Sequence, residues 1–281
     1  MTSFNILITG CSSGIGLCAA TLLHQRGYNV VATVRTEKDR EPLNYLGIQA
    51  IILDLTDSES IQQAVSFSLD HFNHKVDALF NNAAYGQPGA IEDLSRDTLR
   101  QQFETNVFGT QELTNLVLAQ MRTQGHGRVI YNSSVLGIIS MAYRGAYNAS
   151  KYAIEGLADT LRQEVYGSNI HISLIEPGPI QSQFRANAFE KYRQHIDKAA
   201  SVHRDIYEAM EQRLTKQGPA APFTLPPEAV VKKLIHAIES KRPKIRYYVT
   251  FPTYLFAILK RLLPHYWLDW VLIKVSQGEN K

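Results

Sequence analysis

The sequence predicts an α/β fold, a single domain built on one doubly wound parallel sheet. Three observations predict it. Apolar runs of strand length at residues 4–8, 29–34, 48–53, 76–80, 127–131, 169–175 and 245–250 alternate with segments of helical character. A glycine-rich turn, Thr9-Gly10-Cys11-Ser12-Ser13-Gly14-Ile15-Gly16, joins the first run to the first helix. Polar or Pro/Gly segments, Asn81-Asn82-Ala83-Ala84, Asn132-Ser133-Ser134 and Glu176-Pro177-Gly178-Pro179-Ile180, stand where later runs end. A length of 281 residues would allow two domains, but the alternation continues along the whole chain and is read as one.

Taken in order, the turn after residues 4–8 opens a helix at about residues 14–26. A glycine turn at a helix N-terminus offers free backbone N–H groups and the positive end of the helix dipole, which favours an anion. The Val-rich run 29–34 ends at Arg35-Thr36. Run 48–53 is followed by Asp54-Leu55, and Asp57 or Ser58 could cap the next helix. Run 76–80 leads into the Asn-Asn-Ala-Ala segment, whose small residues permit a close backbone approach. A long helix is expected over about 97–121 with Asn106 inside it, where an Asn is ordinarily an exposed or capping residue. Run 127–131 ends in the two serines, and the loop 135–144 is mostly apolar or small.

Tyr147 and Lys151 follow, four residues apart and so on one face of a helix. A phenol has a pKa of about 10 and is a poor acid or base at neutral pH, but a neighbouring positive charge favours the phenolate. A shift of about three units requires roughly 4 kcal/mol of differential stabilisation. One lysine in water would not supply that.

The glycine turn, Asn81-Asn82-Ala83-Ala84, Asn106, Ser134, Tyr147/Lys151 and Pro177-Gly178 occur in an order and spacing that resembles the short-chain dehydrogenase/reductase family. The resemblance covers residues 4–250 and is closest to the NADP-dependent branch of 17-beta-hydroxysteroid and retinol dehydrogenases, including a bacterial aldehyde reductase. It implies a Rossmann-type fold and a catalytic set of Asn106, Ser134, Tyr147 and Lys151. Tyr147 would exchange the proton, Ser134 would bind the substrate oxygen, and Lys151 with a positively charged nicotinamide would lower the Tyr147 pKa. Asn106 would disturb its helix and hold a water near Lys151. No metal is implied.

For the cofactor, NADP(H), the resemblance implies contacts from Gly10, Ser12, Ser13, Gly14, Ile15, Gly16, Asp54, Leu55, Asn82, Ala83, Ala84, Tyr147, Lys151, Pro177, Gly178 and Ile180. Arg35, with Thr36 and Ser13, would read the 2′-phosphate, since no acidic residue stands at Thr33 or Val34 to accept from a 2′-hydroxyl. Ala84 departs from the glycine usual in the family. Ser182 is the nearest hydroxyl to a usual threonine.

Residues 183–226 carry helical segments at about 188–199 and 205–216 and the loop 218–222, and are expected to form a substrate lid in which Phe184, Phe189 and Tyr192 are candidate contacts. A helix over 226–240 precedes the last run. The extension 251–281 places apolar residues at helical spacing among Lys260, Arg261 and Asp269. It could lie on a membrane surface as a peripheral contact, pack over the pocket, or pack against a second subunit of a dimer or tetramer.

Composition narrows the class. Lys and Arg number 29 against 26 Asp and Glu, a net charge of +3 that leaves no nucleic-acid footprint. Cys11 and Cys18 lie in the first turn and helix and suggest no disulfide framework, which fits a reducing cytoplasm. The sequon matches at Asn132 and Asn148 fall inside the expected site and are read as chance. No signal peptide is indicated at Met1-Thr2-Ser3, and no apolar run approaches the ~20 residues of a spanning helix. The expectation is reversible reduction of an apolar aldehyde or ketone; steroid or retinol dehydrogenation and a non-catalytic NADP-binding sensor are the alternatives.

Overall fold

The computed structural model describes residues 4–218 and 221–279. Pro219 and Ala220 of the expected lid loop lie outside the described residues, as do Met1, Thr2, Ser3, Asn280 and Lys281. Seven parallel strands form one sheet, with β1 Asn5–Ile8, β2 Asn29–Val34, β3 Gln49–Ile52, β4 Ala78–Asn81, β5 Gly127–Asn132, β6 Ile170–Glu176 and β7 Arg246–Tyr248. Their order is β3-β2-β1-β4-β5-β6-β7. The direction of winding therefore reverses between β1 and β4, which pair in register Ile6↔Ala78, Leu7↔Leu79 and Ile8↔Phe80. In such sheets the crevice beyond the strands' C-terminal ends at this reversal is the ligand-binding position.

Alternation along each strand divides the core in two. Ile6 and Ile8 face a layer that includes α1 (Gly14–Gln25) and α9 (Glu228–Glu239), with Leu23, Val231 and Leu234. Leu7 faces the opposite layer, where α3 (Ser58–His71), α5 (Thr110–Gln124) and α6 (Gly145–Glu164) contribute Ile61, Val117 and Ile154. Asp57 caps α3, its side chain accepting from the Glu59 N–H, and Thr36 caps α2 (Glu37–Tyr45) in the same way through Asp39. These short polar side chains satisfy backbone donors that the first helical turn leaves free.

The helix expected over 97–121 is not continuous. α4 (Arg96–Phe103) passes through a widened π turn at Glu104–Gly109 before α5 begins. Gly109 fits this turn closely against the loop after β3: a Cβ there would stand 1.7 Å from the Leu55 carbonyl oxygen. Beyond β6 lie α7 (Phe184–His195) and α8 (Arg204–Thr215), about four residues and one residue earlier than the spacing predicts. The extension folds as α10 (Phe251–Leu262) and α11 (His265–Glu279). No helix among the described residues is long and apolar enough to cross a membrane.

Candidate active site

The glycine turn and the Asn81-Asn82 segment are neighbours because β1 and β4 pair. Thr9 stitches them: its hydroxyl accepts from the Asn82 and Ala83 N–H groups at 2.9 Å each. The Asn82 amide donates to the carbonyls of Thr9 at 2.9 Å and Gly10 at 3.1 Å. Its oxygen accepts from Asn132 at 2.9 Å, which adds β5 to the tie. Only glycine fits Gly16, where a Cβ would stand 2.0 Å from the Gly10 carbonyl oxygen. Gly10 adopts φ +71°, and a Cβ there would stand 2.8 Å from Ala83 Cα.

α1 starts at Ser13 with no side-chain cap and no acidic residue in its first turn. Its first N–H groups and dipole are thus left for an external anion, and the cradle fits a dinucleotide's phosphates. Ser182, two residues past Ile180, closes over this turn; a Cβ on Gly14 would stand 2.9 Å from the Ser182 Cβ. Pro177 is bound to the serine loop, its carbonyl accepting from the Val135 N–H at 2.8 Å. Ile180 is held by its bridge to Leu225, and Gly178 fits tightly beneath Thr250. The predicted cofactor residues on the turn, β4, β6 and α6 therefore converge on one crevice.

At the β2–β3 end of the crevice, Arg35 and Thr36 are exposed at the tip of β2, and no carboxylate pairs with Arg35 among the described residues. Asp54 stands exposed after β3 and accepts from the Thr56 N–H at 2.9 Å, while Leu55 is buried.

α6 carries Tyr147, Lys151 and Glu155 on one face. Lys151 is buried and donates to the Asn132 carbonyl at 2.7 Å, with its Nζ 5.6 Å from the centre of the Tyr147 ring. Burial draws its pKa down to about 8, against the opposing pull of Glu155. The Tyr147 phenol is not lowered in the protein alone. Burial raises it above its ordinary value, and the Ser134 hydroxyl opposes this more weakly. The lowering expected from a lysine is absent because Lys151 lies beside the ring, bonded to a backbone carbonyl, and its own charge is disfavoured by burial.

The Ser134 oxygen accepts from the Leu136 N–H at 3.1 Å, which leaves its proton available to another acceptor. Asn106 is buried in the π turn. Its amide donates to the Tyr85 carbonyl at 2.9 Å and to Ser150 at 3.1 Å, and its oxygen accepts from the Tyr85 N–H at 3.1 Å. It thus fastens the loop after β4 to α6.

The loop after β5 is the apolar wall. Leu136, Ile139 and Met141 pack with Phe256 of α10 and Leu268 and Leu272 of α11, and Tyr147 packs against the same cluster. The end of α11 is clasped by arginines from two elements: Glu279 pairs with Arg144, just before α6, and with Arg213 of α8 at 3.1 Å. Of the three aromatics expected in the lid, Phe184 reaches the Tyr147 ring. Tyr192 does not face the crevice. It is buried against Tyr207 and donates to Glu211 at 2.9 Å, and Phe189 stacks on it. The rotation of α7 about its axis, set by its packing on α8, decides this.

Sequence reasoning overlooked Thr9, Asn132 and the acidic group behind Lys151. Arg246 binds Glu155 at 2.9 Å, Asp159 at 2.8 Å and Glu176 at 3.0 Å. The i, i+4, i+8 spacing of Tyr147, Lys151 and Glu155 is the signal that could have found it.

The family model described as short chain dehydrogenase matches residues 5–193. An uncharacterized oxidoreductase, YbbO, of Escherichia coli is 41% identical over 98% of this chain and 94% of its own length. Human retinol dehydrogenase 8 is 32% identical over 86% of this chain and 79% of its own. An NADPH-dependent 3-dehydrocapnine reductase of Ornithobacterium rhinotracheale is 30% identical over 95% of both. The solved structure of a short-chain dehydrogenase from Streptomyces avermitilis superposes with a TM-score of 0.74 at 26% identity, over 99% of this chain and 97% of that one. With a family model covering more than half its length and a relative 41% identical along nearly all of it, the chain belongs to the short-chain dehydrogenase family of oxidoreductases.

Proposed function

We propose that this chain is an NADPH-dependent reductase of apolar aldehydes or ketones, reversible as an alcohol dehydrogenase, with residues 183–226 as its substrate lid. The observation that carries the reading is Tyr147 and Lys151 on one face of α6, with Tyr147 packed into the apolar wall beside Ser134. A bound nicotinamide cofactor supplies or accepts the hydride. Tyr147, kept protonated by its surroundings, gives its proton to the carbonyl oxygen in reduction. Ser134, its own oxygen already occupied by the Leu136 N–H, donates to the same oxygen and stabilises the developing alkoxide. Lys151 has donors to spare beyond the Asn132 carbonyl, and these would hold the ribose hydroxyls. Asn106 fixes the loop beside the site and supports the path that returns the proton.

NADP rather than NAD is supported by the unpaired Arg35 beside Thr36 and by the uncapped hydroxyl of Ser13. The relative described as NADPH-dependent points the same way. Retinol-type alcohol oxidation is the second reading, and the likeness to human retinol dehydrogenase 8 favours it. One assay separates them: oxidation of NADPH and of NADH followed by absorbance against carbonyls from short aldehydes to long-chain ketones, steroids and retinal. Turnover with NADPH on apolar carbonyls is the expected result. Tight NADPH binding without turnover on any of them would instead support a sensor.

A further inference from the structure

α10 and α11 present two apolar faces where a surface helix has one. The inner face, including Phe256, Leu268 and Leu272, is buried against the loop that Tyr147 packs on. The outer face carries Tyr254, Ile258 and Leu262 on α10 and Trp267, Trp270 and Ile273 on α11. Steps of three and four residues align each set along its helix. These side chains are well exposed: Leu262 is 73% accessible, Trp267 58% and Trp270 54%.

Charge narrows what can cover them. Lys260 turns inward, donating to the Ile138 carbonyl and lying 4.8 Å over the Tyr152 ring, so the exposed charges left to the two helices are Arg261 and Lys274 against the single carboxylate of Asp269. Glu279 is drawn inward by Arg144 and Arg213 and does not offset them. A second copy laid on this face by a two-fold axis would bring a net positive surface against itself. An anionic lipid surface is complementary both to these cations and to amphipathic Trp and Tyr side chains, which favour the boundary between headgroups and acyl chains.

We propose that the outer face of α10 and α11 docks the protein on an anionic lipid bilayer, so that an apolar carbonyl dissolved in that bilayer lies one helix layer from the site. The delivery of substrate rests on the apolar-carbonyl reading above. The docking itself does not.

Both tryptophans of the chain are on this face, so tryptophan emission, excited beyond the absorption of tyrosine, reports on it alone. The experiment adds phosphatidylglycerol-containing vesicles, or vesicles of phosphatidylcholine alone, to the full-length protein and follows emission and flotation. The expected result is a shift to shorter wavelength and co-flotation with the anionic vesicles, both strongly reduced on phosphatidylcholine. Arg261→Glu/Lys274→Glu should lose both responses, and Trp267→Gln/Trp270→Gln should lose flotation. Turnover of a short, water-soluble aldehyde, measured on the same preparations, should be unchanged. Flotation absent on both vesicle types, or equal on both, would overturn the proposal. So would a concentration-dependent dimer whose tryptophan emission is already shifted without lipid, since a second copy would then cover the face. Loss of docking with the aldehyde activity intact would leave the catalytic reading standing, and docking without carbonyl turnover would overturn only that reading.

Discussion

The ring of Phe184, the first residue of α7, lies over that of Tyr147, with centroids 5.2 Å apart and planes inclined by 59°. Gly86 leaves it the room. A Cβ at Gly86 would stand 2.8 Å from Phe184 Cζ and 3.6 Å from Tyr147 Cδ2. α7 thus places one aromatic edge on the group expected to exchange the proton. Phe184→Ala should remove about 1–2 kcal/mol of apolar contact, roughly a tenfold loss in kcat/KM for a bulky apolar carbonyl. A short aldehyde that does not reach this ring should be little affected. Steady-state kinetics on both substrates check this, and equal losses would take Phe184 out of the substrate wall.

Tyr147→Phe keeps the ring packing and removes the proton. Binding of NADPH, measured by fluorescence titration, should stay within a few-fold, while kcat falls by at least the roughly 100-fold that a positioned proton donor contributes. Near-normal kcat in this variant would remove Tyr147 from the mechanism.

Lys151 gives that proton transfer a pH dependence. Burial lowers its pKa to about 8, so the folded protein loses the ammonium as pH rises through that value. Reduction should decline above about pH 8 in the profile of kcat/KM for NADPH, which reports the groups of the free enzyme. Lys151→Arg, whose guanidinium does not titrate in this range, should be slower but should lack that alkaline limb. For stability the sign is reversed. Above about 8 the unfolded chain binds the proton that the folded chain has lost, so this group's contribution rises with pH until the unfolded lysine also titrates. A limb that persists unchanged in Lys151→Arg belongs to another group.

The face of α6 that carries Tyr147 and Lys151 was legible because a four-residue step defines one helical face whatever surrounds it, and the glycine turn because Gly16 tolerates no Cβ. The parallel sheet followed from strand and helix alternation. What stayed hidden depended on tertiary packing. Phe189 and Tyr192 carry the same aromatic signal as Phe184, and only the seating of α7 on α8 turns Phe184 alone onto Tyr147. The three settings imagined for the C-terminal extension could not be separated by periodicity, since a stripe of apolar residues does not say which neighbour covers it. Its inner half proved to pack beside the pocket. Nor does the sequence show that Arg246, about 90 residues on from Glu155, returns to meet it.

Arg35 tests the cofactor reading directly. It is exposed at the tip of β2 with no carboxylate partner among the described residues, so its removal should cost the folded chain little. Arg35→Ala should weaken NADPH binding by roughly 10- to 100-fold, as expected for a charge-assisted pair worth about 1.5–3 kcal/mol. NADH should be little affected. Titrations with both nucleotides decide it, and equal weakening would show that Arg35 does not read the 2′-phosphate.

Behind Lys151, three carboxylates converge on one guanidinium. Arg246 donates to Glu155, Asp159 and Glu176, and Glu176 is wholly buried with one oxygen lacking a partner. Arg162 takes a share of Asp159 at 2.9 Å, which leaves Arg246 facing the buried Glu155 and Glu176, and burial raises both of those carboxyls, so one proton shared by the pair is the expected state. Burial first, and then the neighbouring Glu155 carboxylate, push Glu176 above the ordinary carboxylate range. A raised acid contributes stability that is complete below its unfolded pKa and is lost as pH climbs towards the folded value. Glu176→Gln keeps an acceptor for the Arg246 Nε and adds a neutral donor towards Glu155. It should therefore melt close to wild type near about pH 5 and above it near about pH 8. Each kcal/mol gained should appear as roughly 2–4 °C, read by calorimetry at the two pH values. A variant less stable than wild type at both would mean that the pair is held ionised, with its second charge balanced by Lys151, and that the lysine's ammonium depends on the acids behind it.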